Sequence, residues 1–214
     1  EYGIDRPLKS VRLLAKQNSK AEVLALAGDL GNWSVSSIDD SSFVNLLRTI
    51  SEEALFKKVV VIPGNHDYYS CEATEHLTKD EDPVMFFDTA DEIMDEDIVT
   101  PLGMIFLQKK VVAVGSCAIA GTTLWSPASK ASKTECSLMH DYMAIEGFTP
   151  EICQAVHDDQ AAWLHSICTD TETAPDIIFT HHPPIDHVDL RHHQYTPESA
   201  SLFHANLSSL FLHI

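Results

Sequence analysis

The chain has 214 residues and is 44% hydrophobic, which favours a single domain with a sizeable core over two domains. Fourteen basic residues against thirty-two acidic ones give a net charge of −18, which repels a phosphate backbone and argues against nucleic-acid binding through a broad basic face. No apolar run approaches the ~20 residues that span a bilayer, so we predict no membrane segment. Five scattered cysteines without a C-x-x-C pair predict a reducing, cytoplasmic location.

The first part of the chain alternates between helical and strand patterns. We predict a short helix over residues 8–17 and a buried strand over residues 22–27, EVLALA. Apolar residues that recur at i, i+3, i+4 and i+7 predict a helix over residues 43–54, and a β-branched run predicts a strand over residues 58–62. A strand, a helix and a strand in this order predict two parallel strands.

The rest of the chain continues the alternation. Residues 79–97 are rich in acids that are spread too evenly to converge on a point, so we predict a solvated helical face or loop there. Two or three short strands are expected within residues 104–125. A threonine cap and a proline open a predicted helix over residues 149–168, and residues 176–180, DIIFT, predict another buried strand.

Polar residues follow directly on three of these predicted strands. Asp29 follows the first, Asn65, His66 and Asp67 follow the second, and His181 follows the last. In an open α/β sheet, the carboxyl ends of the strands form the crevice in which ligands bind. Singly, each residue has a plainer explanation as turn chemistry, but their occurrence at three strand ends favours one shared site.

The side chains at these ends are oxygen and nitrogen ligands. A carboxylate, a carboxamide oxygen and an imidazole suit divalent ions such as Mn²⁺, Fe²⁺, Zn²⁺ or Mg²⁺ better than thiolate-loving ions. Two such ions ~3.5–4 Å apart can share a hydroxide and clamp the phosphoryl oxygens of an ester during in-line displacement. Asp29 is the natural ligand to bridge two ions, so the residues point to metal-assisted chemistry at phosphorus.

Short motifs at the strand ends resemble blocks of the calcineurin-like metallophosphoesterases, in the order and strand context of that family. The stretches that carry the resemblance are GD at 28–29, GNHDYY at 64–69, GTTLW at 121–125 and THHPP at 180–184. They are most similar to the branch of small single-domain phosphohydrolases. The resemblance implies an α/β protein with a four-layer α/β/β/α sandwich.

The resemblance also implies a role for each of the five residues. Asp29 would bridge two divalent metal ions, and Asn65 and His181 would complete the ligands of the second ion. His66 would face the phosphate as general acid or electrostatic stabiliser, and Asp67 would orient its imidazole. A histidine held by a carboxylate keeps a defined tautomer and a raised basicity, as proton donation to a leaving alkoxide requires. The implied substrate is a small phosphomonoester or phosphodiester.

Two blocks of the family's pattern do not occur in the sequence. No D-x-H precedes Asp29, and no G-H-x-H lies near the C-terminus. We therefore expect residues 1–214 to be an interior fragment of a single metallophosphoesterase domain, from which terminal strands are missing. Because Asp29 alone is left for one of the two ions, we expect this chain to bind one divalent ion weakly and to show little or no hydrolysis.

A second class of function fits the same family. The chain could keep this fold as a non-catalytic protein-binding scaffold, although the sequence does not identify a protein partner. The retained pair of His66 and Asp67 favours the enzyme, because a scaffold has no use for an acid that faces a phosphate. The missing ligand blocks favour the scaffold only if the complete gene product also lacks them.

Overall fold

The computed structural model describes residues 4–69, 83–129, 133–136, 138–170, 172, 174–185, 205 and 207. The described part of the chain does not include the acidic residues 79–82. It does not test the predicted loss of terminal strands either. Within it, helices and strands alternate as the sequence predicts.

Six α-helices and six β-strands form within the described residues. The helices are α1 (Asp5–Gln17), α2 (Ser42–Glu53), α3 (Pro83–Ile93), α4 (Lys133–Cys136), α5 (Asp141–Ala144) and α6 (Pro150–Thr169). The strands are β1 (Val23–Ala27), β2 (Lys58–Ile62), β3 (Ile105–Phe106), β4 (Lys110–Val114), β5 (Cys117–Thr122) and β6 (Ile177–Thr180).

Helices α2 and α6 begin at side-chain caps. The Ser41 hydroxyl accepts a hydrogen bond from the Val44 amide at 3.1 Å, and the Thr149 hydroxyl accepts one from the Ile152 amide at 3.3 Å. Each bond satisfies an amide that the first helical turn leaves unpaired. The two predicted amphipathic helices are confirmed to within two residues at each end.

The strands form two three-stranded sheets, β1-β2-β3 and β4-β5-β6. Strands β1 and β2 are parallel, and their register pairs Val23 with Lys58 and Ala27 with Ile62. Their carboxyl ends are therefore level with each other. The predicted parallel pairing of the two strands is confirmed.

The last predicted strand end comes from the other sheet. Strand β6 pairs in parallel with β5, with Thr180 opposite Thr122, and it does not extend the sheet that contains β1 and β2. The three predicted strand ends therefore belong to two sheets and not to one. The ends meet because the tips of the two sheets lie together, as a hydrogen bond from His181 Nδ1 to the Ala27 carbonyl shows at 2.8 Å.

Strand β2 is buried on both of its faces. Val59 and Val61 belong to a large apolar cluster with residues of α1 and α2, whereas Val60 and Ile62 pack with residues of β4, β5 and β6. Successive side chains of a strand point to opposite faces. A strand with helices on one side and a second sheet on the other needs apolar residues at every position, which explains the continuous run.

One acid of the segment predicted to be solvated is a packed residue. Asp91 lies in α3, and its Oδ1 accepts a hydrogen bond from the Tyr68 hydroxyl at 2.6 Å. Tyr68 is fully buried, and burial raises the pKa of Asp91 to about 7. The prediction of a solvated face is therefore wrong at this position.

None of the helices in the described residues is long and apolar enough to cross a membrane. The observed architecture is a mixed α/β fold with two small sheets and helices packed against them. The complete four-layer sandwich stays a prediction.

Candidate metal centre

Two glycines bring the ends of β1 and β2 into contact. A Cβ atom on Gly28 would lie 2.5 Å from the Gly64 Cα atom, and a Cβ atom on Gly64 would lie 2.5 Å from Asp29 Oδ1. Both distances are too short for any side chain. Gly28 also has a φ of 86°, which favours glycine. The glycine in each motif is therefore required for the two strand ends to approach.

The Asp67 carboxylate fastens the two loops to each other. It is completely buried and accepts four backbone hydrogen bonds from the amides of Asp29 (3.0 Å), Leu30 (2.7 Å), Gly31 (3.1 Å) and Gly64 (2.8 Å). Burial raises the pKa of Asp67 to about 6, although the backbone hydrogen bonds oppose this shift. The loop after β1 thus keeps a fixed position relative to the loop after β2.

The described hydrogen bonds of Asp67 all come from backbone amides, and none comes from the His66 imidazole. A carboxylate has about four lone-pair positions, and the four backbone amides occupy them. The His66 ring stacks instead on the Tyr69 ring, with 4.5 Å between the ring centroids. The orienting role of Asp67 and the catalytic role of His66 both stay predictions.

Asp29 presents its carboxylate at the mouth of the site. Its backbone has a φ of 57°, a left-handed conformation that Asp tolerates better than most residues. Oδ1 accepts a hydrogen bond from the His66 amide at 3.2 Å, and the side chain is 40% exposed. The carboxylate is thus both held in place and open to a ligand.

The tautomer of His181 follows from the partner of its Nδ1 atom. That nitrogen lies 2.8 Å from the Ala27 carbonyl oxygen, and a carbonyl only accepts, so Nδ1 carries the proton. In the neutral ring, Nε2 then has a lone pair. This atom lies 3.0 Å from Asn65 Oδ1 and 3.4 Å from Asp29 Oδ1.

The orientation of the Asn65 amide follows in the same way. Its Nδ2 atom donates to Asp141 Oδ1 at 2.6 Å, and the Tyr69 hydroxyl donates to the same oxygen at 2.7 Å. Since a carboxylate only accepts, the NH₂ group of Asn65 must face Asp141. The amide oxygen is therefore the atom that faces His181.

When His181 is neutral, two acceptor oxygens, Asp29 Oδ1 and Asn65 Oδ1, thus face the lone pair of His181 Nε2 without a donor between them. A divalent cation removes this repulsion, because ions with metal–ligand distances of ~2.0–2.2 Å hold neighbouring ligand atoms roughly 2.8–3.6 Å apart, depending on whether the geometry is octahedral or tetrahedral. The observed 3.0 and 3.4 Å separations match. Among the described residues, no cluster of three or more His, Cys, Asp or Glu side chains is placed to hold a metal, and the third donor here is an amide.

A cavity of about 720 Å³ opens beside these residues. Asp29 and His66 line it at one end, and Arg6, Asn32 and Ser42 are among its other lining residues. A guanidinium in a chain of net charge −18 provides local positive charge. The cavity is large enough for a small phosphorylated molecule.

His182 lies next to His181 in the sequence but has a different environment. Burial, together with the neighbouring His181 ring, lowers the pKa of His182 to about 3. Its Nδ1 atom is buried and has no hydrogen-bond partner among the described residues. His182 is therefore neutral at physiological pH and does not supply a positive charge to the site.

The sequence did not reveal Asp141 or Tyr69 as parts of the site. Asp141 is 76 positions away from Asn65 along the chain and begins a helix of four residues, so no periodic pattern marks it. Tyr69 belongs to the GNHDYY stretch, but only the fold brings its hydroxyl to Asp141. The other five residues, predicted from strand ends, do lie together.

Comparison with known proteins identifies one family. A family model described as calcineurin-like phosphoesterase matches residues 3–208, nearly the whole chain. No curated protein and no solved structure matches the chain. The matched span contains all five residues that we predicted from the strand ends.

Proposed function

Because the chain belongs to the calcineurin-like phosphoesterase family, we propose that it is a metal-dependent phosphoric ester hydrolase. The proposed substrate is a small phosphomonoester or phosphodiester that enters the cavity beside Asp29 and His66. A divalent ion such as Mn²⁺, Fe²⁺, Zn²⁺ or Mg²⁺ is the proposed cofactor.

The convergence of Asp29 Oδ1, Asn65 Oδ1 and His181 Nε2 is the observation that carries this proposal. These atoms would hold the ion, and a bound divalent ion would lower the pKa of a water molecule and neutralise phosphoryl charge. Each ligand is restrained by the protein, through the His66 amide, Asp141 and the Ala27 carbonyl. Restrained ligands lower the entropy that metal binding costs.

His66 is the proposed proton donor to the leaving alkoxide. It lines the cavity together with Asp29, and stacking on Tyr69 restricts its ring. A general acid must reach the leaving oxygen in a fixed orientation. In this proposal Asp67 acts on His66 only indirectly, because it fixes the loop that carries both residues.

The dinuclear centre and the finer features of the fold are also proposals. For a second ion, the three candidate ligands contribute only Asp29, and the sequence contains neither D-x-H before Asp29 nor a late G-H-x-H. We further propose a single domain over residues 1–214 with the four-layer arrangement of the family. The free thiols Cys117, Cys136, Cys153 and Cys168 support a reducing, cytoplasmic location.

Titration with Mn²⁺ tests the proposed metal centre directly. We expect calorimetry to detect one ion per chain and expect His181→Ala to abolish binding, because the variant loses the only nitrogen ligand of the set. His165→Ala is the matched control, since this exposed histidine lies in α6. Absence of binding, or equal loss in both variants, would contradict the proposal and favour the scaffold.

Hydrolysis is measured on the complete gene product with p-nitrophenyl phosphate and bis(p-nitrophenyl) phosphate, which separate monoesterase from diesterase activity. We expect turnover that depends on Mn²⁺. His66→Ala should lower turnover by roughly 10²–10⁴-fold and leave the metal content unchanged. An equal loss of metal in this variant would mean that His66 is a ligand and not an acid.

A further inference from the structure

Asp141 is a buried carboxylate whose role in the proposed function is so far only to restrain Asn65. The residue is 7% exposed, and its Oδ1 atom accepts hydrogen bonds from Asn65 Nδ2 at 2.6 Å and from the Tyr69 hydroxyl at 2.7 Å. Burying a carboxylate costs free energy that hydrogen bonds must offset. A neutral residue of the same size would avoid this free-energy cost, so the presence of a carboxylate needs an explanation.

The carboxylate determines which end of the Asn65 amide faces His181. With the amide reversed, its NH₂ group would donate to the Nε2 lone pair of His181, which is a favourable contact when no cation is present. The reversed amide would, however, place its oxygen against Asp141 Oδ1, acceptor against acceptor. Asp141 therefore holds Asn65 with its amide oxygen towards His181. Without a metal ion, this orientation makes the less favourable contact with His181.

The same hydrogen bond affects how strongly the amide oxygen binds a cation. A hydrogen bond to an ionised acceptor is shorter and stronger than a neutral one, and the observed 2.6 Å distance agrees. Donation to a carboxylate polarises the amide and increases the negative charge on its oxygen. Groups that orient metal ligands in this way typically contribute about 10- to 100-fold to metal affinity.

We propose that Asp141 is a positioning residue that directs the Asn65 amide oxygen towards the candidate metal centre. This inference rests on the proposed function, because only a cation benefits from three acceptors that face one another. Asp141 itself lies behind Asn65 and does not touch the cation in this proposal. It acts through the amide alone.

The affinity of the full chain for Mn²⁺, measured by calorimetry, tests the proposal in four forms of the protein. Asp141→Leu should weaken binding by about 10- to 100-fold. Asp141→Asn keeps an acceptor for the Asn65 NH₂ group but loses the charge, so we expect a loss of about 3- to 10-fold. Asp97→Asn is the matched control: it removes one negative charge at an exposed position of the π-helix Met94–Val99, and binding should change less than about threefold.

Nuclear magnetic resonance of the metal-free protein supplies a readout that a general loss of stability does not produce. With ¹⁵N-labelled histidine, the chemical shift of His181 Nε2 reports whether that atom receives a hydrogen bond. In Asp141→Leu we expect the Asn65 amide to reverse and donate to Nε2, which shifts this resonance. In Asp97→Asn the resonance should keep its wild-type position.

The outcomes separate this inference from the proposed function. If the wild-type chain binds no Mn²⁺, the proposed metal centre itself fails. If the wild type binds Mn²⁺ and both Asp141 variants bind it equally well, only the positioning role fails. If circular dichroism shows that Asp141→Leu does not fold, Asp141→Asn decides, and a change below about threefold contradicts the proposal.

Discussion

Three aspartates, two of them buried and one half-buried, have different environments among the described residues. Asp67 is surrounded by backbone amides, Asp141 accepts from two side chains, and Asp91 accepts from the Tyr68 hydroxyl. Desolvation favours the neutral acid, whereas each hydrogen bond to the carboxylate favours the charged form. Burial prevails at Asp91, where it raises the pKa to about 7, and at Asp67, where it raises the pKa to about 6.

The stability of the protein should depend on pH through Asp91. Burial raises its pKa from the ordinary 3.8 to about 7, with the Tyr68 hydrogen bond acting against the shift. Between these pH values the folded chain holds a proton that the unfolded chain has released, so the free energy of unfolding falls as pH rises. The loss is complete above about pH 7 and on the order of a few kcal/mol.

Asp91→Asn isolates this contribution in urea unfolding at pH 5 and pH 8. The variant resembles the protonated acid, and the wild type has lost only part of the contribution at pH 5, so we expect the stability of the variant relative to the wild type to be higher at pH 8 than at pH 5. Asp97→Asn, at an exposed position in the π-helix (Met94–Val99), controls for the loss of one negative charge. A relative stability of the variant that is no higher at pH 8 than at pH 5 would contradict the assignment.

At the scale of elements, β2 connects the two parts of the core. Val60 is completely buried and packs with Leu107 and Ile119 between the two sheets. Its truncation would leave a void that close-packed neighbours on both sheets cannot easily fill. The contact between the sheets also fixes the tip of β6, and hence His181, against the tips of β1 and β2.

We therefore expect Val60→Ala to destabilise the protein by about 2–3 kcal/mol, from lost apolar burial and the cavity left behind. Val111→Ala, at a position in β4 that is 40% exposed, removes the same two methyl groups and should cost less than about 1 kcal/mol. Urea unfolding of both variants gives the comparison. Equal losses would mean that the two sheets do not depend on this contact.

The sequence predicts elements well where one segment contains the whole signal. The helix α2 repeats its apolar residues on one stripe, and β2 is a β-branched run that ends in Pro63-Gly64. The sheet to which β6 belongs cannot be predicted from one segment alone. The run DIIFT indicates a buried strand but not its partner, and the partner β5 begins at Cys117, sixty positions before Ile177.

The same distinction explains which site residues could be predicted. Asp29, Asn65 and His181 each follow a strand directly, so a rule about strand ends finds them. The hydrogen-bond partners of Asp67 could not be predicted, because they are backbone amides that no sequence pattern marks. Asp141 belongs to a short helix far along the chain, and only the three-dimensional structure brings it to Asn65.

At the scale of the whole molecule, the net charge and the metal centre act together. A charge of −18 repels itself in the compact state, and any dissolved cation relieves part of this repulsion. Stabilisation by Mn²⁺ would therefore be expected even without a specific site. A test of the site must separate ion binding at three fixed ligands from general screening.

Thermal unfolding with Mn²⁺ can make that separation. A ligand that binds only the folded state stabilises it by about 2.7 kcal/mol at 100 times its Kd, so we expect a rise of several degrees in the Tm of the wild type. When the histidine is neutral, His181→Ala has the same formal charge as the wild type, so Mn²⁺ screens both proteins equally. The variant, however, lacks the nitrogen ligand. Its Tm should therefore rise only as much as NaCl of equal ionic strength raises it. If Mn²⁺ raises both Tm values equally, the ion acts by screening, and three acceptors that face one another do not make a metal centre.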